Sequence, residues 1–230
     1  ALVSQSYGNT TYIVNGSMNS ATMNTIPFGN PGGNDAWGGH RATKAWYGLF
    51  GDLNTSTDDR AELFWTSGHQ YEMVDYKEWT HGYPSVKFRN SNYFSASTPT
   101  VFSGTDFPLF RLADAYLMFA ECVVRGASGG TINQATDYVN AVRTRANAST
   151  ITPGQLTLDF LIDERARELN LEGHRRSDLI RFGKFTGGSY LWPWKGNTQN
   201  GTAIPSTYNL FPIPLPALQA NPNLTQNPGY

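Results

Sequence analysis

Charged side chains are scarce in this 230-residue chain, where Asp, Glu, Lys and Arg make up 15% of the residues against about 25% in typical soluble proteins. The formal net charge is −1. A chain without a basic excess has no electrostatic attraction for a phosphate backbone or for anionic lipid. We therefore expect no nucleic-acid partner.

Cysteine is also nearly absent, since Cys122 is the single one. This excludes an intrachain disulfide and a Cys-based zinc site, and the apolar neighbours of Cys122 predict a buried thiol. The run from Asp52 to Asp58 resembles a calcium loop in its spacing but lacks the Gly and Glu that such a loop needs. The four histidines lack metal-ligand spacing. The sequence predicts neither a metal nor a cofactor.

Long apolar runs are missing as well, because no stretch approaches the about 20 residues that cross a bilayer. The first residues, "ALVSQSYGNT", contain no initiator Met and no basic flank followed by an apolar stretch. We expect a fragment or a processed chain, in contact with a membrane only through an anchor that the chain does not contain.

The composition changes near residue 105. Residues 1–105 are rich in Gly, Asn, Ser, Thr and aromatic residues, which predicts a loop-rich part with a few short strands. One helical pattern interrupts it, in "HRATKAWYGLFG", where Gly51 is the predicted stop and Trp46 belongs to the apolar stripe. Residues 106–230 are predicted to form a helical scaffold and an extended C-terminal segment. The two parts are expected to make one domain.

Helical periodicity is clear in residues 106–183. Asp106 is the predicted N-cap of the first helix, Pro108 lies in its first turn, and Gly126 ends it. A second amphipathic pattern follows a short Gly-rich break, which predicts an antiparallel helical hairpin. A third helix follows "TPG" and is predicted to end at Gly173, before a short helix in "RRSDLIRFGKF". The fold class is mainly α.

The last 42 residues are dense in Pro, Asn and Gly. These residues break regular structure and favour turns and extended chain. We expect most of the segment to be an extended loop, held to the rest of the protein by apolar side chains at Phe211, Ile213 and Leu215.

The stretch "ERARELNLEGHRRSDLIRFG", beginning at Glu164, concentrates charge in a charge-poor chain. On a helix, Glu164, Glu168 and Glu172 share one stripe. A glycoside hydrolase needs two carboxylates about 5–10 Å apart, one of them protonated. The surrounding arginines lower carboxylate pKa values and keep such groups ionised, so we favour a structural ion-pair network. A glycoside hydrolase remains the alternative.

Three motifs, "FRLADAYLMFAE", "ERARELNLEGHRRSDLIRFG" and "YNLFPIPLPALQANPNLTQNPGY", occur in the order seen at the C-terminal end of one family. The chain resembles the SusD/RagB family of surface glycan-binding lipoproteins. The segment "AWGGHRATKAWYGLFGDLNTSTDDRAELFWT" resembles the same family more loosely. The resemblance implies a tetratricopeptide-like αα-superhelix with long irregular loops, and further helices and a lipid anchor outside this chain.

The resemblance also implies a function. Such a protein is expected to bind an oligosaccharide or polysaccharide without cleaving it and to pass it to a SusC-like TonB-dependent transporter at the outer-membrane surface. A peptide-binding or lid-like member of the family is the other possibility. The charged run then becomes a structural signature, with an expected ion-pair network at Glu164, Arg165, Glu172, Arg175, Asp178 and Arg181.

Neutral sugars offer C–H faces and hydroxyl groups, so their sites combine aromatic rings with hydrogen-bonding side chains such as Asn, Gln, Asp and Arg, and contain few unpaired charges. The Gly-rich stretch "GNPGGNDAWGGHR" fits this chemistry, with Trp37 as the stacking ring. A Trp that fills the edge of the core is the competing interpretation. Further aromatics, including Trp65, Tyr71 and Tyr83, are candidates for a second platform. The predicted ligand-binding residues are Tyr12, Asn34, Trp37, His40, Arg41 and Trp79.

Overall fold

The computed structural model describes residues 41–78, 80–85, 87 and 108–230. Contacts divide the chain into two compact units, Ala1–Arg175 and Arg176–Tyr230, called here the helical unit and the C-terminal unit. Within the described ranges the regular structure is helical, and β-structure is limited to isolated bridges. The predicted mainly α class is confirmed, and the superhelix remains a prediction.

The loop-rich beginning of the helical unit is built around one aromatic cluster. Helix α1, Lys44–Tyr47, continues into a 3₁₀ turn, Gly48–Phe50, and stops as predicted at Gly51, whose φ of 72° favours glycine. Tyr47 packs in a small core with Ala42 and Phe64. Trp46 lies against this core, as its helical spacing predicts, and its indole N–H donates to the carbonyl of Ala166 at 3.0 Å.

Three longer helices form the scaffold: α2 at Leu112–Val124, α3 at Ile132–Arg145 and α4 at Leu158–Glu168. Hydroxyls cap α3 and α4, because Thr131 accepts from the amide of Gln134 and Thr157 from that of Phe160. Helix α2 packs on α3, as the predicted hairpin requires, and also on α4. Their buried apolar side chains are Leu117, Ala120, Ala135, Val139, Val142, Leu161, Ile162 and Ala166.

Two predicted helix ends are wrong. Helix α2 begins at Leu112 instead of near Asp106, since Arg111 is extended, with φ −134° and ψ 145°, and its side chain binds Glu168 and Glu172. Helix α4 ends at Glu168, and Gly173 lies beyond the following turn with φ 80°. In both places a long-range ion pair holds the backbone next to the helix end.

The expected burial of Cys122 is also wrong, since its thiol is exposed. Helix α2 turns Leu117, Ala120 and Glu121 inward, and Cys122 falls on the other side of the helix. Among the described helices, none has both the length and the apolar content needed to cross a bilayer.

The C-terminal unit is irregular, with short helices at Arg175–Arg181 (α5, which starts one residue before the unit) and Leu215–Ala220 (α6). Phe211 and Leu215 do not hold this segment down as predicted, because both side chains are exposed. Side-chain amides do so instead. The Gln226 amide exchanges two hydrogen bonds with the backbone of Ile213, at 2.8 and 2.9 Å.

Candidate functional site

Glu164 lies on the inward side of α4 and is 0% exposed. Its carboxylate accepts hydrogen bonds from three guanidinium groups: Arg60 at 2.9 Å, Arg143 at 2.6 Å and Arg167 at 2.9 Å. Charge-assisted bonds of this kind are the strong ones in proteins. They satisfy the carboxylate fully at a position that solvent does not reach.

Glu168 and Glu172 continue the same stripe. Glu168 accepts from Arg60 at 3.0 Å, Arg111 at 2.9 Å and Arg145 at 2.8 Å. Glu172 accepts from Arg111 at 2.6 Å, and from the ammonium group of Lys87. Since the side chain of Arg111 spans both carboxylates, the end of α4 and the turn after it are joined by one cation.

Arg60 is the centre of this arrangement. Both carboxylate oxygens of Asp58 accept from it at 2.8 Å, and its other contacts are Glu164 and Glu168. Burial alone would lower the pKa of Arg60, but the hydrogen bonds to Asp58 and the carboxylates of α4 raise it above its ordinary value. We call this set the carboxylate network: Asp58, Arg60, Lys87, Arg111, Arg143, Arg145, Glu164, Arg167, Glu168 and Glu172.

The pKa values of two further groups in the network are shifted. Burial would raise the pKa of Asp58, but its hydrogen bonds with Arg60 and the guanidinium charge lower it below the ordinary value. Burial lowers the pKa of Lys87, although Glu172 opposes the shift. Each carboxylate of the α4 stripe is enclosed by cationic donors. All three are buried, so the stripe does not offer the solvent-accessible pair of carboxyl groups that a glycoside hydrolase needs.

The residues predicted as one ion-pair network occupy several places. Glu164 and Glu172 belong to the carboxylate network. Arg165 Nη1 lies 2.8 Å from Asp114 Oδ1, a buried charge contact without hydrogen-bond geometry. Arg175 donates to the carbonyl of Ile162 at 2.7 Å. In the C-terminal unit, Asp178 accepts from Arg181 at 2.8 Å. A structural role for the set stays a prediction.

Most cations of the network could not be found from the sequence. Arg167 is the exception, since it follows Glu164 by three positions on α4. A stripe of three glutamates in a chain with 17 basic residues requires counter-charges, but the other cations are spread from residue 60 to residue 145, and nothing local pairs them with α4.

Arg41 is the predicted ligand-binding residue that the structure describes. Its Nε donates to the carbonyl of His81 and its Nη2 to that of Tyr76, both at 2.7 Å. Burial lowers the pKa of Arg41. These bonds tie the start of the described chain to the loop of residues 71–83. The other predicted residues, Tyr12, Asn34, Trp37, His40 and Trp79, lie outside the described residues.

Aromatic rings cluster around Tyr47, at the end of helix α1. Tyr47 lies 4.4 Å from Tyr83 and 5.0 Å from Tyr71 between ring centroids, and its hydroxyl donates to the carbonyl of Tyr71. Tyr71 is the exposed member. The suggestion that Trp65 joins a platform is wrong, because Trp65 is buried and its indole donates to the carbonyl of Ser67 at 2.9 Å.

Comparison with known proteins decides the family. The SusD family model matches residues 58–230. This chain belongs to the SusD family. The starch-binding protein SusD of Bacteroides thetaiotaomicron is 44% identical over 184 residues, which cover 77% of this chain and 32% of that protein. The chain therefore spans about a third of that relative's length.

Solved structures agree with the family assignment. A SusD superfamily protein from Bacteroides vulgatus matches with a TM-score of 0.59 and 26% identity, over 82% of this chain and 39% of that one. Surface glycan-binding protein A from Bacteroides thetaiotaomicron, in complex with laminarihexaose, matches with a TM-score of 0.60 and 26% identity. That match covers 87% of this SusD-family chain and 44% of the other.

Proposed function

We propose that this SusD-family chain is part of a non-catalytic protein that binds a neutral oligosaccharide or polysaccharide. The observation that carries the proposal is the 44% identity with a starch-binding protein over 77% of the chain. The structural similarity to a glycan-binding protein in complex with laminarihexaose supports the same class of ligand. A starch-type glucan is the first ligand to test, because its named binder is the more similar relative.

The treatment of charge in the helical unit supports this class of ligand. The carboxylates of the network are paired with cations, and Arg41 directs two donors to backbone carbonyls of the loop of residues 71–83. The same loop carries the exposed aromatic ring of Tyr71. An uncharged ligand with C–H faces suits aromatic and amide groups. In this proposal Trp37 stacks on a sugar ring, and Tyr12, Asn34, His40, Arg41 and Trp79 complete the site.

The location and partner belong to the same proposal. A surface lipoprotein at the outer membrane would pass its glycan to a SusC-like TonB-dependent transporter. Membership of the SusD family and the structural similarity to surface glycan-binding protein A support this placement. Co-purification of the full-length protein with a barrel transporter from membranes tests it, and a protein recovered without such a barrel would contradict it.

Isothermal titration with three probes tests the binding proposal: maltoheptaose, laminarihexaose and a charged polysaccharide. We expect binding to a neutral glucan, and Trp37→Ala to weaken it by about 1–3 kcal/mol, as loss of a binding hot spot does. Phe110→Ala, which removes an exposed aromatic of the helical unit, is the control and should leave affinity unchanged. Unaltered affinity in Trp37→Ala would overturn the assignment of that residue.

Catalysis is tested in the same samples. Reducing-end assays after prolonged incubation should detect no released sugar. Release that Glu168→Gln abolishes would support a hydrolase and contradict the proposal.

A further inference from the structure

Residues 185–230 of the C-terminal unit expose no charged side chain. Between residues 185 and 230, Lys195 is the only Asp, Glu, Lys, Arg or His. Lys195 is 1% exposed, and its ammonium group donates to the carbonyls of Gly187 at 2.8 Å and Tyr190 at 2.7 Å. The solvent-facing side chains of these residues are therefore uncharged, which is unusual because charged residues normally cover exposed loops.

Three aromatic side chains are exposed in this uncharged stretch. Tyr208 is 51% exposed, Phe211 68% and Tyr230 47%. A single exposed aromatic needs no explanation, but a group of them points to an interaction site. A hydrogen bond places Tyr230 against the segment that carries the other two, since its hydroxyl donates to the carbonyl of Leu210 at 2.8 Å.

The backbone that carries these rings is firmly held. The guanidinium of Arg176 lies 3.9 Å from the centroid of the Phe211 ring and donates to the carbonyl of Tyr208 at 2.8 Å. Asn227 donates to the carbonyl of Phe211 at 2.7 Å. Since these bonds order the loop before any ligand arrives, binding to it costs little further conformational entropy.

Uncharged hydrogen-bonding groups are present in the same unit. Amide side chains supply both donors and acceptors without a charge. The exposed ones are Asn197, Gln199, Asn200, Gln219, Asn221 and Asn223. Aromatic rings with amides and without charges match a neutral sugar, which has C–H faces and hydroxyls. Arginine, which is enriched in interfaces between proteins, is absent from residues 185–230.

We propose that Tyr208, Phe211 and Tyr230 form a second contact surface for neutral oligosaccharides, in the C-terminal unit. The surface uses residues different from those predicted around Trp37. The inference rests on the proposed function, because it assumes that the protein meets a neutral glycan. It adds a second place of contact, which a long polysaccharide engages more strongly than a short oligosaccharide through multivalency.

Affinity electrophoresis in amylopectin gels, with titration of maltoheptaose, tests this surface. The double variant Tyr208→Ala/Phe211→Ala should lose about tenfold in amylopectin affinity, as expected for truncated aromatic anchors. Leu215→Ala removes a side chain of similar exposure and apolar character and is the matched control. Tyr208→Phe/Phe211→Tyr keeps both rings and should bind like the wild type, which separates stacking from a folding defect.

The outcomes are distinct. If the wild type binds amylopectin, Trp37→Ala weakens binding and the double alanine variant does not, this inference is overturned and the proposed function stands. If the wild type binds no neutral glycan, both fail. If the double alanine variant binds glycan normally but no longer co-purifies with a membrane partner, the surface is a protein interface and the inference is overturned.

Discussion

In the helical unit, six cationic side chains enclose four carboxylates, those of Asp58, Glu164, Glu168 and Glu172. Residues 185–230, by contrast, contain one charged side chain, and it is buried. Both regions must fix irregular loops. The helical unit does so with ion pairs that reach across more than a hundred residues, as from Arg60 to Glu164. Residues 185–230 are held by side-chain amides, by the ammonium group of Lys195 and by the guanidinium of Arg176.

The comparison shows where a charge-poor chain places its charges. A buried ion pair adds little net stability, because desolvation offsets the attraction, but removing one partner is costly. Such a network therefore selects one arrangement of the loops over others. In residues 185–230, hydrogen bonds to amides and backbone carbonyls fix the loops while leaving an uncharged surface. We infer that the second arrangement suits a segment that meets a neutral ligand.

Among the variants that test this difference between the two regions, we expect the largest change in the free energy of unfolding at Glu164. Glu164→Gln leaves three guanidinium groups without their common charge in a buried place, and we expect a loss of about 3–5 kcal/mol in the free energy of unfolding. Urea denaturation followed by circular dichroism measures it. The control Glu62→Gln changes an exposed residue and should stay within about 0.5 kcal/mol. A loss below about 1 kcal/mol at Glu164 would contradict a cooperative network.

Lys195→Met asks whether the single charge of the C-terminal stretch is also structural. The variant leaves the carbonyls of Gly187 and Tyr190 without their donor, and hydrogen bonds from a charged group contribute about 1.5–3 kcal/mol. We expect faster hydrogen exchange in residues 187–204 and unchanged exchange in α2 to α4. Lys77→Met, at an exposed position, should change neither. Uniform destabilisation of both units would show that they unfold together.

Lowering the pH should destabilise the carboxylate network, and the next expected effect is therefore on the pH dependence of stability. The pKa of Asp58 is lower in the folded protein than its ordinary value, which is about 3.9 in an unfolded chain. Its contribution is therefore complete above the unfolded pKa and disappears as pH falls through the folded pKa. We expect wild-type stability to fall below about pH 5. Asp58→Asn should be less stable at pH 7 and should decline less steeply, and parallel curves would contradict the role of Asp58.

Much of the helical unit is predictable because its signals are local. The hydroxyls of Thr131 and Thr157 and the glycines at 51 and 126 mark helix ends within one turn of the residues that they affect. Arg111 is different. Its extended backbone accompanies hydrogen bonds to Glu168 and Glu172, which lie 57 and 61 positions further along the chain. A helical pattern that includes Asp106 therefore does not predict that the helix begins only at Leu112.

In the C-terminal segment, the exposure of Phe211 also depends on contacts that local sequence patterns do not reveal. Its Pro-rich pattern has no apolar periodicity, so the sequence could not distinguish an inward Phe211 from an exposed one. Burial was the default expectation for an apolar ring. The Arg176 guanidinium and the Asn227 amide hold Phe211 at the surface instead, and neither contact follows from local spacing.

The smallest expected effect is that of ionic strength on glycan affinity, which tests directly whether the glycan contacts charged or uncharged surface. Raising ionic strength from 0.1 to 1 M shortens the Debye length from about 10 Å to about 3 Å and screens exposed charges. Because the proposed glycan surface is uncharged, amylopectin affinity should change less than about twofold over this range. The carboxylates of the network are buried and screened little, so unfolding should respond weakly as well. A steep loss of glycan affinity with salt would mean that exposed charges, such as those of the helical unit, contact the ligand and that the uncharged C-terminal surface is not a main contact.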